Sequence, residues 1–387
     1  MKYFSVPADY KKETIDEYAK LNETYEDSKV IETYGSISVG KKLMNSRAAN
    51  QLSAADIVDL HKFIEYSAGK NINFNYTINA THMQNQEFSR ERVQEIKNFL
   101  RDLWNAGVRS LTVALPSIIE MIQSTKYDFK LKTSTLCQVT NAFKARAYKR
   151  KGIDRIVVDE SINRKFFTLK RIREAIGDSV EIIVNPICHK NCIYRMFHYN
   201  QIAFDSVNVS NKISVDYYEH RCVMQRHENI NNFVKLSWVR PEDLKYYTSI
   251  GINYFKLQGR QWFAKGADVL RTLKCYFEER YDGNLMDLIT LFIQVNSFNV
   301  YVDNNELDGF IKPFYEKENF CKNDCENCGY CEGFAKRCID YKKAGEVIKL
   351  SGKFYEEYDQ YKNMIESVRE KELSFLKNKP DNGDFGF

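Results

Sequence analysis

The feature that most constrains the fold of this 387-residue chain is an alternation between two kinds of apolar segment. Short stretches rich in β-branched and aromatic residues alternate with longer stretches whose apolar residues recur every three or four positions, the spacing of a helix face. Strands that alternate with helices build parallel sheets, and eight such units can close into a barrel. We therefore predict an α/β fold, a (β/α)8 TIM-type barrel. A doubly wound open sheet is the alternative, but no glycine-rich phosphate fingerprint follows the first predicted strand. The eight predicted strands cover residues 30–35, 72–78, 111–115, 129–136, 155–159, 180–184, 234–239 and 254–257.

The chain is long enough for one barrel of about 250 residues and an appendage. We predict that residues 1–283 form the barrel, with a lead-in helix over residues 8–22. Residues 284–387 then form a C-terminal extension with a cysteine-rich motif, a charged helix and, from residue 378, a loose tail without periodicity.

Two cysteines in the loop after the sixth predicted strand indicate a metal centre. Cys188 and Cys192 are separated by three residues, and Cys222 follows downstream. Soft thiolates are the usual ligands of an iron–sulfur cluster, although buried structural cysteines are the alternative. The loop lacks the three cysteines of radical enzymes that cleave S-adenosylmethionine, because the third position is Arg195. For a fourth ligand, Cys137 just past the fourth predicted strand and a cysteine of the C-terminal motif are both candidates.

A stronger metal signal is a run of four cysteines in the extension. Cys321, Cys325, Cys328 and Cys331 lie within eleven residues, where four thiolates would repel one another unless a cation held them. Such spacing is typical of ferredoxin-type cluster motifs, and four thiolates also suit structural zinc in a closed tetrahedral site. We predict one or two 4Fe–4S clusters in the chain, with zinc at the C-terminal cysteines as the alternative.

The cysteine loop and two further segments carry a resemblance to a known family. The sequences RPEDL at 240–244 and FKLQGR at 255–260 follow the loop at 184–195 in this order. Together they resemble the collagenase-like peptidase family U32, and the cysteine-rich tail resembles one subgroup of it. The resemblance implies an iron–sulfur protein, because better understood relatives assist oxygen-independent hydroxylation of RNA bases or of a quinone precursor. In those relatives a cysteine often lies on the stretch that corresponds to 233–238, and this chain has none there.

In barrels of this kind the chemistry lies on the loops that follow the C-terminal ends of the strands. We expect Arg240 and Arg260 to hold an anionic group of the substrate, such as a carboxylate, in two-pronged contacts. Their alternative role is to pair with a carboxylate at the mouth, such as Asp159 or Glu160. His189, between the first two thiols, is a candidate donor to a cluster sulfur or to the substrate, with a plain loop histidine as the alternative. The other candidates on this rim are Asn79, Ser134, Thr135, Asn185 and Cys188.

These features predict an iron–sulfur enzyme that modifies a small molecule or a peptide by oxygen-independent redox chemistry such as hydroxylation. The rivals are a peptidase, for which we find no convincing nucleophile–histidine arrangement, and a cluster-carrying partner subunit of another modifying enzyme. A net charge of only +5 disfavours nucleic acid as a partner. Ten cysteines without a secretory signal predict a cytoplasmic location. A membrane is not expected, because no apolar run approaches the roughly 20 residues that span a bilayer.

Overall fold

A computed structural model gives the structure of the chain and describes residues 1–39, 54–207, 216–294 and 300–377. It confirms the predicted fold class: parallel strands follow one another around a closed barrel in chain order, and the last pairs with the first. The predicted tail from residue 378 lies outside the described residues. The strands are β1 (Lys2–Pro7), β2 (Ser28–Gly35), β3 (Asn73–Ile78), β4 (Ser110–Val113), β5 (Lys130–Thr133), β6 (Arg155–Val157), β7 (Val180–Ile183) and β8 (Tyr254–Lys256).

Helices connect the strands and continue into the extension. Within the described ranges, no helix combines the length and the apolar character needed to cross a membrane. The helices of the barrel region are α1 (Lys12–Thr24), α2 (Ile57–Ala68), α3 (Arg90–Asn105), α4 (Pro116–Gln123), α5 (Ala142–Arg150), α6 (Phe166–Ile176), α7 (Arg195–Val207), α8 (Tyr217–Glu228), α9 (Asn232–Lys235), α10 (Leu244–Ser249) and α11 (Val269–Phe277). Those of the extension are α12 (Leu285–Ile289), α13 (Lys312–Glu316), α14 (Cys325–Cys328), α15 (Tyr330–Cys338) and α16 (Tyr341–Lys377).

The first strand of the barrel, β1, is missing from the predicted set. It pairs with β2 on one side and with β8 on the other, so it closes the barrel. Phe4 and Val6 are fully buried, and the Ser5 hydroxyl donates to Glu32 inside the barrel. The segment has only six residues, includes lysine and serine and ends at a proline, so its hydrophobic pattern is weak.

The predicted strand at 234–239 is not a strand, and this prediction is wrong. The helix α9 takes up its first residues, and β7 pairs directly with β8, which leaves no ladder position between them. Only Val239 is tied to the barrel edge, where its N–H donates to the Val184 carbonyl at 2.8 Å. The apolar side chains Leu236 and Trp238 are buried all the same. The alternating apolar pattern at 234–239 therefore indicates buried side chains but not a strand that pairs with its neighbours.

The extension packs on the barrel through Phe310, whose ring centroid lies 5.5 Å from that of Trp238 and which belongs to a cluster of aromatic side chains. Phe310 lies beneath Tyr330 and Phe334, and Phe314 and Phe320 complete the cluster, with ring centroids 4.9–5.8 Å apart. Apolar residues of the extension belong to the same buried core as those of the barrel. This packing holds the cysteine motif, which surrounds Tyr330 in the sequence, against the barrel.

Candidate functional site

A small pocket opens at the C-terminal ends of the barrel strands, where the chemistry of such barrels is expected. Its volume is about 60 Å³. Its described lining carries hydroxyl, amide and cationic side chains but no histidine and no carboxylate. Four residues that the sequence places on the rim line it, namely Asn79, Ser134, Thr135 and Arg260. A pocket of this size and polarity can enclose a carboxylate together with a few neighbouring atoms, but not a whole peptide.

Arg260 is held in the wall of this pocket by hydroxyl groups. The side chain is buried, and its guanidinium donates to Ser36 Oγ at 3.0 Å and to Thr77 Oγ1. The turn before it requires Gly259, because its φ is 143° and an added Cβ would collide with the Leu291 side chain. These two contacts fix the orientation of the guanidinium in the pocket wall.

A second cation, Lys256 at the end of β8, also lines the pocket. Its Nζ lies 3.6 Å from the centroid of the Tyr34 ring, and the Arg260 guanidinium carbon lies 5.6 Å from the same centroid. Burial lowers the pKa of the Lys256 amine to about 7, and the positive charge of Lys132 acts in the same direction. Sequence analysis does not single out Lys256. A signal that could have identified it is its position between two apolar residues of a predicted parallel strand. Such strands are normally buried on both faces, so a lysine there is unusual.

A network of buried ion pairs forms the layer of the barrel interior below the pocket. Lys132 Nζ lies 2.5 Å from Glu32 Oε1 and 2.8 Å from Glu181 Oε2, and Ser5 donates to Glu32 at 2.6 Å. All four side chains are buried, where branched apolar residues are usual in such barrels. Burial favours the neutral form of Glu32, but the charges of Lys132 and Lys256 outweigh it and hold its pKa below the usual value.

The loop that carries the first two cysteines borders the pocket. Cys188 Sγ lies 4.0 Å from the Tyr199 hydroxyl, and Tyr199 lines the pocket. Cys192 Sγ lies 3.7 Å from Gln225 Oε1. Burial raises the pKa of the Cys188 and Cys222 thiols, and Cys222 interacts electrostatically with both Cys188 and Cys192. The predicted first group of cysteines is therefore gathered in one region beside the pocket.

Arg195, at the start of α7, anchors this loop to the mouth of the barrel. Its guanidinium forms ion pairs with Asp159 and Glu160, each at 2.7 Å. Thr135, in the pocket wall, donates to the Glu160 carboxylate at 2.5 Å. Arg195 thus has the carboxylate-pairing role that sequence analysis considers for the other two arginines of the rim.

His189 is buried next to the cysteines. Burial lowers the pKa of its imidazole to about 4, and the nearby charge of Arg226 adds to this effect. The ring is hydrogen-bonded to the main chain of Cys222, while its Nε2 has no hydrogen-bond partner among the described residues. The imidazole is therefore neutral at physiological pH and retains one nitrogen for a further hydrogen bond.

The structure does not bring Arg240 into the pocket. Its Nε lies 3.1 Å from the Asp243 carboxylate and its Nη2 lies 2.8 Å from Asp308, while Nη1 donates to the Asn304 carbonyl at 2.5 Å. The expected position rested on a strand at 234–239, and without that strand Arg240 does not stand at the mouth. It links the barrel to the extension instead.

Two further residues of the predicted rim bind the main chain. Asn185 donates from Nδ2 to the carbonyl groups of Gln258 at 2.9 Å and of Ile289 at 3.0 Å. The Cys137 thiol lies 3.5 and 3.4 Å from two carbonyl oxygens at the end of β4. In these contacts Asn185 and Cys137 stabilise the main chain around the barrel mouth.

The four cysteines of the C-terminal motif line one cavity of about 540 Å³. Lys190, in the loop between the first two cysteines, donates to Cys321 Sγ at 3.4 Å, so this loop touches the motif. The buried guanidinium of Arg164 interacts electrostatically with Cys331 and Cys321. In the parts of the chain that the structure describes, no three histidine, cysteine or acidic side chains converge as ligands of one metal ion. The chemistry of the donor set nevertheless fits a cluster or structural zinc, since both take four thiolates. The cysteines of this cavity are Cys321, Cys325, Cys328 and Cys331.

Comparison with known proteins places these features in a family context. The sequence model of Peptidase family U32 matches residues 26–201. The chain is 30% identical over 289 residues to the uncharacterized protease MJ1657 of Methanocaldococcus jannaschii. This alignment covers 73% of this chain and 82% of the relative. Among solved structures, the U32 peptidase Mk0906 aligns with a TM-score of 0.44 and 15% identity, covering 55% of this chain and 79% of that one. The citrate synthase SbnG aligns with a TM-score of 0.32 and 11% identity, covering 66% of this chain and 85% of that one.

Proposed function

The chain belongs to peptidase family U32, and from this premise we propose that it is an iron–sulfur enzyme whose reaction takes place in the pocket at the barrel mouth. The proposed reaction is an oxygen-independent redox modification, such as hydroxylation, of a small molecule or of a peptide end. The observation that carries the proposal is the position of Cys188, whose thiol is next to Tyr199 in the pocket wall. A cluster held there would lie beside the bound substrate.

The side chains of the pocket suit an anionic group of the substrate. Arg260 supplies a fixed guanidinium, and the Ser134 hydroxyl, which accepts from the Leu136 N–H, can donate a neutral hydrogen bond, whereas the Thr112 hydroxyl already donates to Asn75 Oδ1 at 2.6 Å. A carboxylate can accept two parallel hydrogen bonds from one guanidinium, which fixes its orientation as well as its position. The pocket volume of about 60 Å³ restricts the enclosed part of the substrate to this group and a few neighbouring atoms.

The cysteines supply the ligands. Cys188, Cys192 and Cys222 would hold one cluster beside the pocket, with Cys321 as a candidate fourth ligand, because Lys190 in the loop contacts its sulfur. The C-terminal motif would hold a second cluster, or zinc. When bound, an iron–sulfur cluster supplies one-electron transfer at a potential set by its surroundings. In the neutral imidazole of His189 the other nitrogen donates to the Cys222 main chain, so the unpaired Nε2 is suited to accept a hydrogen bond from the substrate and not to donate one to a cluster sulfur.

Peptide hydrolysis is the rival function, favoured by the names of the family and of the archaeal relative. A hydrolase of the serine, cysteine or aspartic type needs a general base or a carboxylate pair within hydrogen-bond reach of the scissile bond. The described lining of the mouth pocket includes neither histidine nor carboxylate. Proteolysis by metal-free protein that survives chelation would support the rival and contradict the redox proposal.

Replacing Arg260 with alanine should weaken the binding of a carboxylate ligand by roughly ten- to a hundredfold, because one charge-assisted contact contributes about 1.5–3 kcal/mol. Arg260→Lys should recover only part of this loss, since an ammonium cannot make the two-pronged contact. The measurement is a calorimetric titration with acetate, succinate and 2-oxoglutarate, made on the same samples as a thermal unfolding scan.

Arg240→Ala is the matched control for this experiment. It should leave carboxylate affinity unchanged but lower the free energy of unfolding by about 3 kcal/mol, because it strands the buried Asp243 carboxylate without its partner. Burial raises the pKa of Asp243, and the charge and hydrogen bond of Arg240 oppose this effect. The ionised form of Asp243 therefore depends on Arg240. Full affinity in Arg260→Ala, or an equal loss of affinity in both variants, would contradict an anion site at Arg260.

A further inference from the structure

In the part of the chain that the structure describes, the barrel interior contains two lysines, and both of its carboxylates form ion pairs with the same one. Lys132 forms ion pairs with Glu32 and with Glu181 at 2.5 and 2.8 Å. Among the described residues, no carboxylate oxygen lies within 4 Å of the Lys256 amine. An ammonium that is buried without a close counter-ion is unfavourable, so an amine in this position prefers its neutral form. Lys256 therefore differs from Lys132, whose ammonium forms two ion pairs.

Lys256 also borders the pocket. The residue lines the cavity at the barrel mouth, and its Nζ lies over the Tyr34 ring at 3.6 Å from the centroid. The guanidinium of Arg260 stands 5.6 Å from the same ring centroid, so an amine and a fixed cation share one small pocket. A ligand with a carbonyl carbon next to a carboxylate could therefore meet both groups at once.

We propose that Lys256 is a catalytic amine that forms an imine with a small 2-oxo acid whose carboxylate is bound by Arg260. The inference rests on the mouth pocket of the proposed function, but it requires no cluster. The amine nitrogen bonds to the carbonyl carbon and the carbonyl electron pair moves to oxygen; the nitrogen then gives up its two protons and the oxygen takes up two. Loss of this oxygen as water gives the imine, so no oxidant or reductant is consumed.

The electrostatics of the site agree with this role. The charged groups that act on the Lys256 amine are Lys132 and Arg260, which favour the neutral form, and Glu181 and Glu32, which oppose it. Burial is the largest effect, and the resulting pKa is about 7. About half of the amine is therefore unprotonated at neutral pH, against roughly one part in a thousand for an ordinary lysine. Trapping of the imine should become faster as pH rises through 7 and then level off.

The test uses pyruvate as the probe and sodium cyanoborohydride, which reduces iminium ions to stable secondary amines. Full-length protein is treated at pH 7, and the modified residues are located by peptide mass spectrometry. We expect one dominant adduct on Lys256, formed at least roughly tenfold faster than on the exposed Lys130 of β5. Acetaldehyde, which lacks the carboxylate, should be trapped more slowly than pyruvate.

Four variants separate the possible outcomes. Lys256→Met should abolish the dominant adduct, whereas Lys130→Met should leave it unchanged. Arg260→Met should reduce trapping of pyruvate by roughly ten- to a hundredfold and remove the preference over acetaldehyde. Cys325→Ser should still form the adduct, so a failure of the cluster proposal would not disturb this result. Adducts spread over exposed lysines of the wild-type protein, with Lys256 unmodified, would overturn the inference even if the Lys256 variant fails to fold.

Discussion

Replacing Lys132 with methionine should lower the free energy of unfolding by about 3–5 kcal/mol at pH 7, because Glu32 would remain buried without its ion-pair partner and Glu181 would keep the longer contact with Arg155 at 3.8 Å. Lys132 is 3% exposed and Glu181 is fully buried, so water cannot replace the lost contacts. Methionine keeps a similar length and an apolar stem, which limits the effect to the charge. The ion pairs at 2.5 and 2.8 Å are the contacts removed.

The loss of stability should depend on pH. In the wild-type protein the pKa of Glu32 is held below its usual value, so its contribution to stability is present above the pKa of about 4.3 of the unfolded chain. That contribution is lost as pH falls through the lower pKa of the folded state. In the variant the attraction of Lys132 is gone, and burial then raises the pKa of Glu32. The variant should therefore recover part of its deficit between pH 7 and pH 5.

Denaturant unfolding followed by tryptophan fluorescence at both pH values measures this effect. Lys130→Met, two residues earlier on the same strand and exposed, is the matched control and should stay within about 0.5 kcal/mol of the wild type. Adding Glu181→Gln to Lys132→Met should restore part of the stability, because one stranded charge is removed. A loss below about 1 kcal/mol that is equal at both pH values would contradict a buried ion network.

Cysteine-to-serine variants should have the largest effect on the proposed cofactors. Cys325→Ser should remove one spectral component together with its iron, and Cys188→Ser should remove another, because a serine hydroxyl is a poor substitute for the soft thiolate ligand. Cys325 is exposed in the C-terminal motif and Cys188 borders the pocket, so the two substitutions report on different groups. Circular dichroism should show that both variants remain folded.

The control for these variants is Cys275→Ser. Cys275 lies on α11, partly buried against the core and far in sequence from either group, so this variant should keep all its iron. If Cys325→Ser and Cys188→Ser each abolish the same signal, the two groups serve one centre. Two clusters would then be contradicted, while the contact between Lys190 and Cys321 would account for the sharing.

The barrel itself could be predicted from sequence because it depends on local periodicity. Alternation of strands and helices is visible in short windows, and it locates most strand ends and with them Ser134, Thr135 and Arg260. The same local pattern gave a wrong prediction at 234–239, where apolar side chains are buried but form no strand ladder. The expected position of Arg240 depended on that strand and was therefore wrong as well. The total of eight was nevertheless right, because the missed strand β1 replaced the false one.

The electrostatic part of the site could not be predicted, because it depends on contacts between distant positions. Lys132 and Glu32 are 100 residues apart, and Arg195 and Asp159 are 36 apart. No local pattern specifies which cation meets which carboxylate across the barrel. Lys256 becomes notable only once both interior carboxylates are seen to be bound by Lys132.

The most direct test of the central claim is the metal content of protein purified and kept without oxygen. Iron, acid-labile sulfide and zinc are quantified on one sample, and its visible absorption spectrum is recorded before and after anaerobic reconstitution. We expect brown protein with about four iron and four sulfide ions per cluster, in one or two clusters. Colourless protein that binds zinc alone after reconstitution would contradict the central claim.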